Sequence, residues 1–255
     1  MGGCLMEHAF CPGSKLLRQP APEMFACPSC GEEVEIWTDE LKGTCAGCQK
    51  TIYRDAAMSC LDWCKYGKEC VGDAVYETHL RNKAIGLKQQ LLDSMRSYFD
   101  QDRKRIEHAE RVLAYAEQLL ETEGGDWHIV VPASILHDVG IKVAEDKYGS
   151  SAGSYQEREG PPVARKMLLR LGLRMEDIDQ ICDIVGHHHS PGTLESINFK
   201  VLYDADSLVN LREVAASKSP HQLRVLLEKT MLTRSGKALG LQEYLESAAT
   251  PGLGR

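Results

Sequence analysis

The sequence predicts a mostly α-helical protein, a helical bundle preceded by a small metal-stabilised β-ribbon domain. Three observations predict it. Composition changes near residue 75: before it Cys, Gly and Pro punctuate short polar segments, and after it long stretches carry helical periodicity with almost no strand-like alternation. Nine of the ten cysteines lie between Cys4 and Cys70, four of them as two CxxC pairs. Without an export signal, such clustering reads as metal ligation rather than disulfide bonding. We therefore divide the chain into a cysteine-rich domain over 1–75 and a helical domain over 76–255.

Cys27-Pro-Ser-Cys30 and Cys45-Ala-Gly-Cys48 are separated by fourteen residues. That spacing suits a tetrahedral Cys4 zinc site at the tips of two β-hairpins, with Gly31 and Gly47 expected to allow the tight knuckle turns. So small a unit buries too little apolar surface to fold alone. A structural zinc contributes on the order of 10–16 kcal/mol of apparent binding free energy, enough to fold it. Cys60, Cys64 and Cys70 follow in SCLDWCKYGKEC, with Cys11 upstream as a potential fourth thiolate. That set reads as a second zinc site, as an iron–sulfur cluster, or as thiols packed beneath the ribbon. Cys182 continues the apolar stripe of Ile178, Ile181 and Val185 and reads as a core thiol.

In the helical part, 76–100 reads as a connecting helix. From 101 to 122 the positions Ile106, Ala109, Val112, Leu113, Ala116, Leu119 and Leu120 form one stripe that ends at Gly124-Gly125. A short helix carries Ile135-Leu136 into His137-Asp138, with Pro132 in its first turn or kinking it. The polar, Gly- and Ser-containing stretch 144–160 reads as a loop, and helices follow at about 162–171, 176–186, 196–211 and 219–232.

Along that helical part the chain offers His108, then His137-Asp138, then His187-His188-His189, then Asp206. His108 stands four residues before Val112 on the buried stripe, so its imidazole points inward. Asp206 stands four after Leu202 and three before Val209, again on an apolar face. A carboxylate there is costly unless it is paired or coordinates a metal. Imidazole and carboxylate together in an open coordination sphere suit Mn, Fe, Ni, Co, Mg or Zn, and leave room for water and a phosphate oxygen.

In EHAERVLAYA, ILHDVG and YDADSLVNL the chain resembles the HD superfamily of metal-dependent phosphohydrolases, whose pattern is H…HD…D on a helical bundle. TLESINFKVLYDADSLVNL and MLTRSGKALGLQEYL are similar to a branch of small bacterial members that hydrolyse nucleotides. The resemblance spans about 105 to 245 and implies an HD-type bundle, a divalent metal held by His108, His137, Asp138 and Asp206, and a phosphorylated, nucleotide-like substrate. It places Asp206, not Asp204, in the ligand set, because DADSL matches the family's ADxL. Asp138 is implied to bridge metal and attacking water. Lys142 falls one residue later than the lysine of the HDxGK pattern, and reads as a phosphate contact or as an exposed lysine. His188 reads as a phosphate-binding or supporting group, or as a ligand of a second metal, as in two-metal relatives. Those relatives carry a further histidine where this chain has Gln156.

The activity expected is hydrolysis of a phosphate ester or anhydride, of a nucleotide. Two other readings stay open: a non-catalytic nucleotide-binding regulatory module whose ribbon docks a protein partner, and a diiron oxygenase similar to myo-inositol oxygenase. A formal charge of -7 argues against general nucleic-acid binding. No apolar run approaches membrane-spanning length, and MGGCLMEHAF lacks a basic stretch followed by an apolar core, so we expect a cytoplasmic protein.

Overall fold

The computed structural model describes residues 20–38, 40, 42–53, 61, 64 and 66–246. Cys11 and Cys60 lie outside the described residues, and with them the four-thiolate grouping expected from the sequence; Cys64 and Cys70 are described and half-buried. The chain forms two compact units, Met1–Gln89 and Gln90–Arg255, which divide inside a long helix rather than at its start.

In the first unit, β1 (Pro22–Ala26) pairs antiparallel with β2 (Glu33–Trp37), Pro22 facing Trp37 and Ala26 facing Glu33. β3 (Lys42–Thr44) pairs antiparallel with β4 (Thr51–Tyr53). Alternation along β2 turns Val34 and Ile36 inward, where they pack with Cys27, Cys45 and Ile52. After each CxxC start the chain turns back in the same way: Gly31 N donates to Cys27 O and Gln49 N to Cys45 O, at 2.8 and 2.9 Å. The left-handed residue of the first knuckle is Gly31, at φ +80°, as expected. In the second knuckle it is Gln49, at φ +59°, and not Gly47. The two residues hold equivalent places, each four after its first cysteine, so the turn geometry rather than the composition chooses the position.

α1 (Gly67–Val71) leads into α2 (Asp73–Phe99), α3 (Arg103–Glu123), α4 (Trp127–Leu136), α5 (Gly140–Tyr148) and α6 (Gly153–Arg170). Then come α7 (Met175–Val185), α8 (Ile197–Ala215), α9 (Pro220–Thr230) and α10 (Arg234–Leu241), which runs on into a π-turn over Gln242–Glu246. The stripe expected on α3 is the one it buries: Ala109, Val112, Leu113, Ala116 and Leu119 are sealed. Asp102 caps α3 by accepting from Arg105 N, Ser196 caps α8, and Ser219 and Gln222 form a capping box on α9. α4 lies among α3, α7 and α8, and is buried on every side from Ile129 to Leu136. Pro132 sits in its interior rather than in its first turn.

The stretch 144–160 is not a loop. α5 ends on a left-handed Gly149, whose N–H donates to Glu145 O, and α6 starts four residues later. Pro161 and Pro162 lie within α6 instead of beginning it. Gly153 and Gly160, which read as loop residues, are points of close packing: a Cβ on Gly160 would stand 2.8 Å from Val185 Cγ1, and one on Gly153 2.8 Å from His189 Cδ2. No helix among the described residues is long and apolar enough to cross a membrane.

Candidate metal centre

The second unit brings together the histidines and aspartates that the sequence scatters over almost a hundred residues. His108 comes from the second turn of α3, His137 and Asp138 from the turn joining α4 to α5, and Asp206 from the middle of α8. His108 Nε2 lies 3.2 Å from His137 Nε2, 3.0 Å from Asp206 Oδ1 and 3.6 Å from Asp138 Oδ2. His137 Nε2 lies 3.4 Å from Asp138 Oδ2 and 3.7 Å from Asp206 Oδ1. Both Nε2 atoms thus lie within 4 Å of both carboxylates, and the ring of His137 is fully buried.

Hydrogen bonds behind these donors set their orientation. His137 Nδ1 donates to Ser134 O at 2.8 Å and His188 Nδ1 to Val185 O at 2.7 Å, which leaves both Nε2 atoms facing the centre. Asn210 Nδ2 donates to Asp206 Oδ1 at 2.9 Å. Asp204 looks elsewhere: it accepts from Leu232 N, Thr233 N and Thr233 Oγ1 at 2.7, 2.8 and 2.6 Å, and ties α8 to the start of α10.

Asp138 faces two ways. Its Oδ2 is turned to His108 and His137, while its Oδ1 lies 3.6 Å from His188 Nε2. Asp138, His188 and His189 form a second group whose donor atoms all lie within 4.8 Å of one another, adjoining the first and sharing this carboxylate. His189 belongs to the histidine triplet that the sequence offers, in which His188 carries the named role. Its Nε2 meets Gln156 Oε1 at 3.2 Å, and Gln156 Nε2 donates to Ser151 O at 2.6 Å. The remaining histidine of the triplet, His187, turns away and binds Asp183 O through Nδ1.

Electrostatics match the chemistry of a cation site. Burial opposes charge on His137, but Asp138 and Asp206 outweigh it and raise its pKa to about 9. Burial likewise pushes Asp138 and Asp206 upward, and the neighbouring imidazoles overcome it and hold both carboxyls below their usual range. The centre is therefore built to hold positive charge beside two carboxylates. A polar atom without a partner marks the same spot: His188 Nε2 is buried and makes no hydrogen bond. Leaving such an atom unsatisfied costs about 1–3 kcal/mol, and a bound cation would remove that cost. The donor set fits a divalent ion of the Mn, Fe, Co, Ni, Zn class.

A cavity of about 540 Å³ opens over the centre, ordinary for a small-molecule site. His108, Asp138, His189 and Asp206 form its floor, and four cations stand around it, Lys104, Arg105, Arg111 and Arg212. Lys142 follows the second of its two readings, an exposed lysine. Ile141 lines the cavity, and one residue on, about 100° round α5, the Lys142 ammonium binds Tyr98 O at 3.3 Å and lies over the Tyr98 ring. It does not line the cavity.

In the ribbon, Cys27 Sγ lies 3.6 Å from Cys48 Sγ and Cys30 Sγ 3.5 Å from Cys45 Sγ, and all four sulfurs lie within 4.8 Å of one another. Desolvation raises the Cys27 thiol, yet the N–H groups of Ser29 and Cys30 and the adjacent thiols bring it down to about 6. At Cys30 the Glu32 N–H pulls downward, and the neighbouring thiols override it and push the pKa up to about 12. Ionising one sulfur thus opposes ionising the next, and four thiolates together need a cation between them.

Comparison with known proteins agrees with this geometry. Residues 105–211 match the family model of the HD domain. No curated protein matches the chain. A crystal structure described as a predicted HD superfamily hydrolase, from an uncultured Thermotogales bacterium, is similar at 21% identity and a TM-score of 0.48, over 63% of this chain and 87% of that one. The residues matched to the HD-domain model, 105–211, include His108, His137, Asp138, His188, His189 and Asp206.

Proposed function

We propose that this protein is a metal-dependent phosphohydrolase that cleaves a phosphate ester or anhydride of a nucleotide. The observation that carries the reading is Asp138, whose two oxygens are shared between His108 and His137 on one side and His188 on the other, at the floor of a cation-rimmed cavity. His108, His137, Asp138 and Asp206 would hold a divalent ion, and Asp138 with His188 and His189 would hold a second. Bound there, divalent ions neutralise phosphate charge and make water acidic enough to serve as a nucleophile near neutral pH.

The chain's own residues supply the rest. The Ser134 and Val185 carbonyls hold the His137 and His188 rings, so little reorganisation is required when substrate enters. Asp138, kept ionised, accepts a hydrogen bond from the attacking water and orients it. Lys104, Arg105, Arg111 and Arg212 draw the phosphorylated substrate into the cavity and offset its charge. We assign zinc to Cys27, Cys30, Cys45 and Cys48, where it would hold the two hairpins together and take no part in the hydrolysis.

The test is phosphate release from a nucleotide panel by the full chain loaded with Mn, Co, Ni or Mg, in wild type and Asp138→Ala. The substitution is expected to lower release at least a thousandfold with an unchanged circular-dichroism spectrum. A variant that releases phosphate within threefold of wild type, with its metal still bound, would remove the assignment.

A further inference from the structure

Four cations and four carboxylates line the cavity, and they are not equivalent. Asp138 and Asp206 belong to the metal centre. Arg105 is already taken, at 2.9 Å from Asp102 and 2.6 Å from Glu145, and Lys104 lies 3.6 Å from Glu213. Arg111 and Arg212 are exposed, and among the described residues neither has a carboxylate within ion-pair distance. Two guanidinium charges therefore face the cavity unneutralised, matching the charge of one phosphate dianion.

Their placement is ordered. Arg111 follows His108 by three residues on α3 and Arg212 follows Asp206 by six on α8, and those helices pack side by side. The helices run antiparallel, with Lys104 beside Glu213 and Asp126 beside Asn198. The two positions are therefore displaced from the ligand positions in opposite directions, about 4.5 and 9 Å along their helix axes, and the side chains reach the cavity from two ends. Both side chains line the same cavity. A guanidinium fork matches phosphate oxygens bidentately, where an ammonium offers only a point charge.

We infer that Arg111 and Arg212 form a second anion subsite, which takes a further phosphate of a substrate whose first phosphate lies at the His/Asp centre. The substrate class is then a compound with two or more phosphates rather than a simple monoester. This rests on the phosphohydrolase reading above and adds to it the residues that select among phosphorylated compounds. The helix positions that supply the grip differ from those that supply the metal donors, so selectivity and chemistry are separable.

The experiment titrates orthophosphate, pyrophosphate and tripolyphosphate into the full chain at a fixed, saturating manganese concentration. It uses wild type, Arg111→Ala, Arg212→Ala and Arg111→Lys; chelation of manganese by the longer anions is common to all four and cancels. Wild type is expected to bind pyrophosphate at least tenfold more tightly than orthophosphate. Each alanine variant should cut that preference to threefold or less by weakening pyrophosphate more than orthophosphate, and should melt like wild type, since both side chains are exposed. Arg111→Lys should retain part of the preference. If wild type binds orthophosphate in a manganese-dependent way but shows no preference, or both alanine variants keep the full preference, the subsite is overturned and the phosphohydrolase reading stands. If none of the three anions binds, both fall.

Discussion

The joint between α5 and α6 gives the sharpest structural test of how the metal centre is held. Gly140 begins α5 two residues after Asp138, and a Cβ placed on it would collide with Gln156 O while standing 2.6 Å from Gly160 N and 2.9 Å from Gly160 Cα. All three are main-chain atoms, so no rotamer change relieves the contact. Bringing the 2.6 Å approach to an ordinary 3.4 Å requires the helices to part by at least about 0.8 Å. Overpacking of this kind costs about 1–3 kcal/mol. At the first position of a helix little of the roughly 1 kcal/mol alanine advantage offsets it. Gly140→Ala is therefore expected to lower stability by about 2–3 kcal/mol, or about 4–12 °C in Tm for a unit of this size. The shift displaces Asp138, so manganese affinity should fall about tenfold, as it does when the support of a ligand is disturbed. Gly86→Ala is the control: it lies inside α2 with no heavy atom within 4 Å of the added Cβ, and should be neutral or stabilising by up to about 1 kcal/mol. Thermal melts read by circular dichroism, with manganese titrations beside them, decide the matter. A Gly140→Ala protein that melts within 1 °C of wild type would refute the reasoning.

Other expectations follow from single contacts. In metal-free protein His137 has its pKa raised to about 9, so a metal must displace a proton below that pH. Calorimetry at pH 7 in buffers of different ionisation enthalpy should show close to one proton released, and metal affinity should fall about tenfold per pH unit as pH drops; no proton release at pH 7 would count against it. Because the folded pKa is raised, the contribution of His137 to metal-free stability is complete below about pH 6.5 and fades as pH rises through about 9, which urea titrations in a chelator would show. Asp204→Ala should lower stability by about 2–4 kcal/mol, since three donors lose their acceptor, yet leave metal content intact, whereas Asp206→Ala should do the reverse. Cys27→Ser or Cys45→Ser should each remove one equivalent of zinc and leave the helical unit's melt unchanged; unaltered zinc in either would argue against the site.

Where local pattern and tertiary packing agree, the fold is legible. The α3 stripe runs at helical spacing from Ala109 to Leu119 and is buried as that spacing demands. The cysteine knuckles are equally plain, because the repeated CxxC spacing goes with the same turn in both. Misreadings cluster where a residue serves packing rather than local conformation. Gly153 and Gly160 look like loop residues, yet their missing side chains admit His189 and Val185, and Pro161-Pro162 sit within a helix. Gln49 in the left-handed region is invisible to composition, since the turn and not the side chain places it there.

The metal centre divides along the same line. His108, His137-Asp138 and Asp206 can be found because each lies on or beside an apolar face, where an ionisable group needs a reason to be. His189 cannot be found that way, since it leaves the helical register after α7 and joins Asp138 only because the turn at 186–189 folds back over α6. Glu157 holds that turn by accepting from His189 N and Ser190 Oγ at 3.0 Å each, a pairing over thirty residues that has no local signal. Lys142 takes the exposed alternative for a simpler reason: one residue of offset on a helix turns a side chain about 100°, which lays its ammonium over Tyr98. Donors that shape the first coordination contacts are thus written into short motifs. The residues that orient those donors and surround the substrate, among them Gln156, Asn210, Arg111 and Arg212, come from α3, α6 and α8, and only the packing of those helices brings them to one cavity.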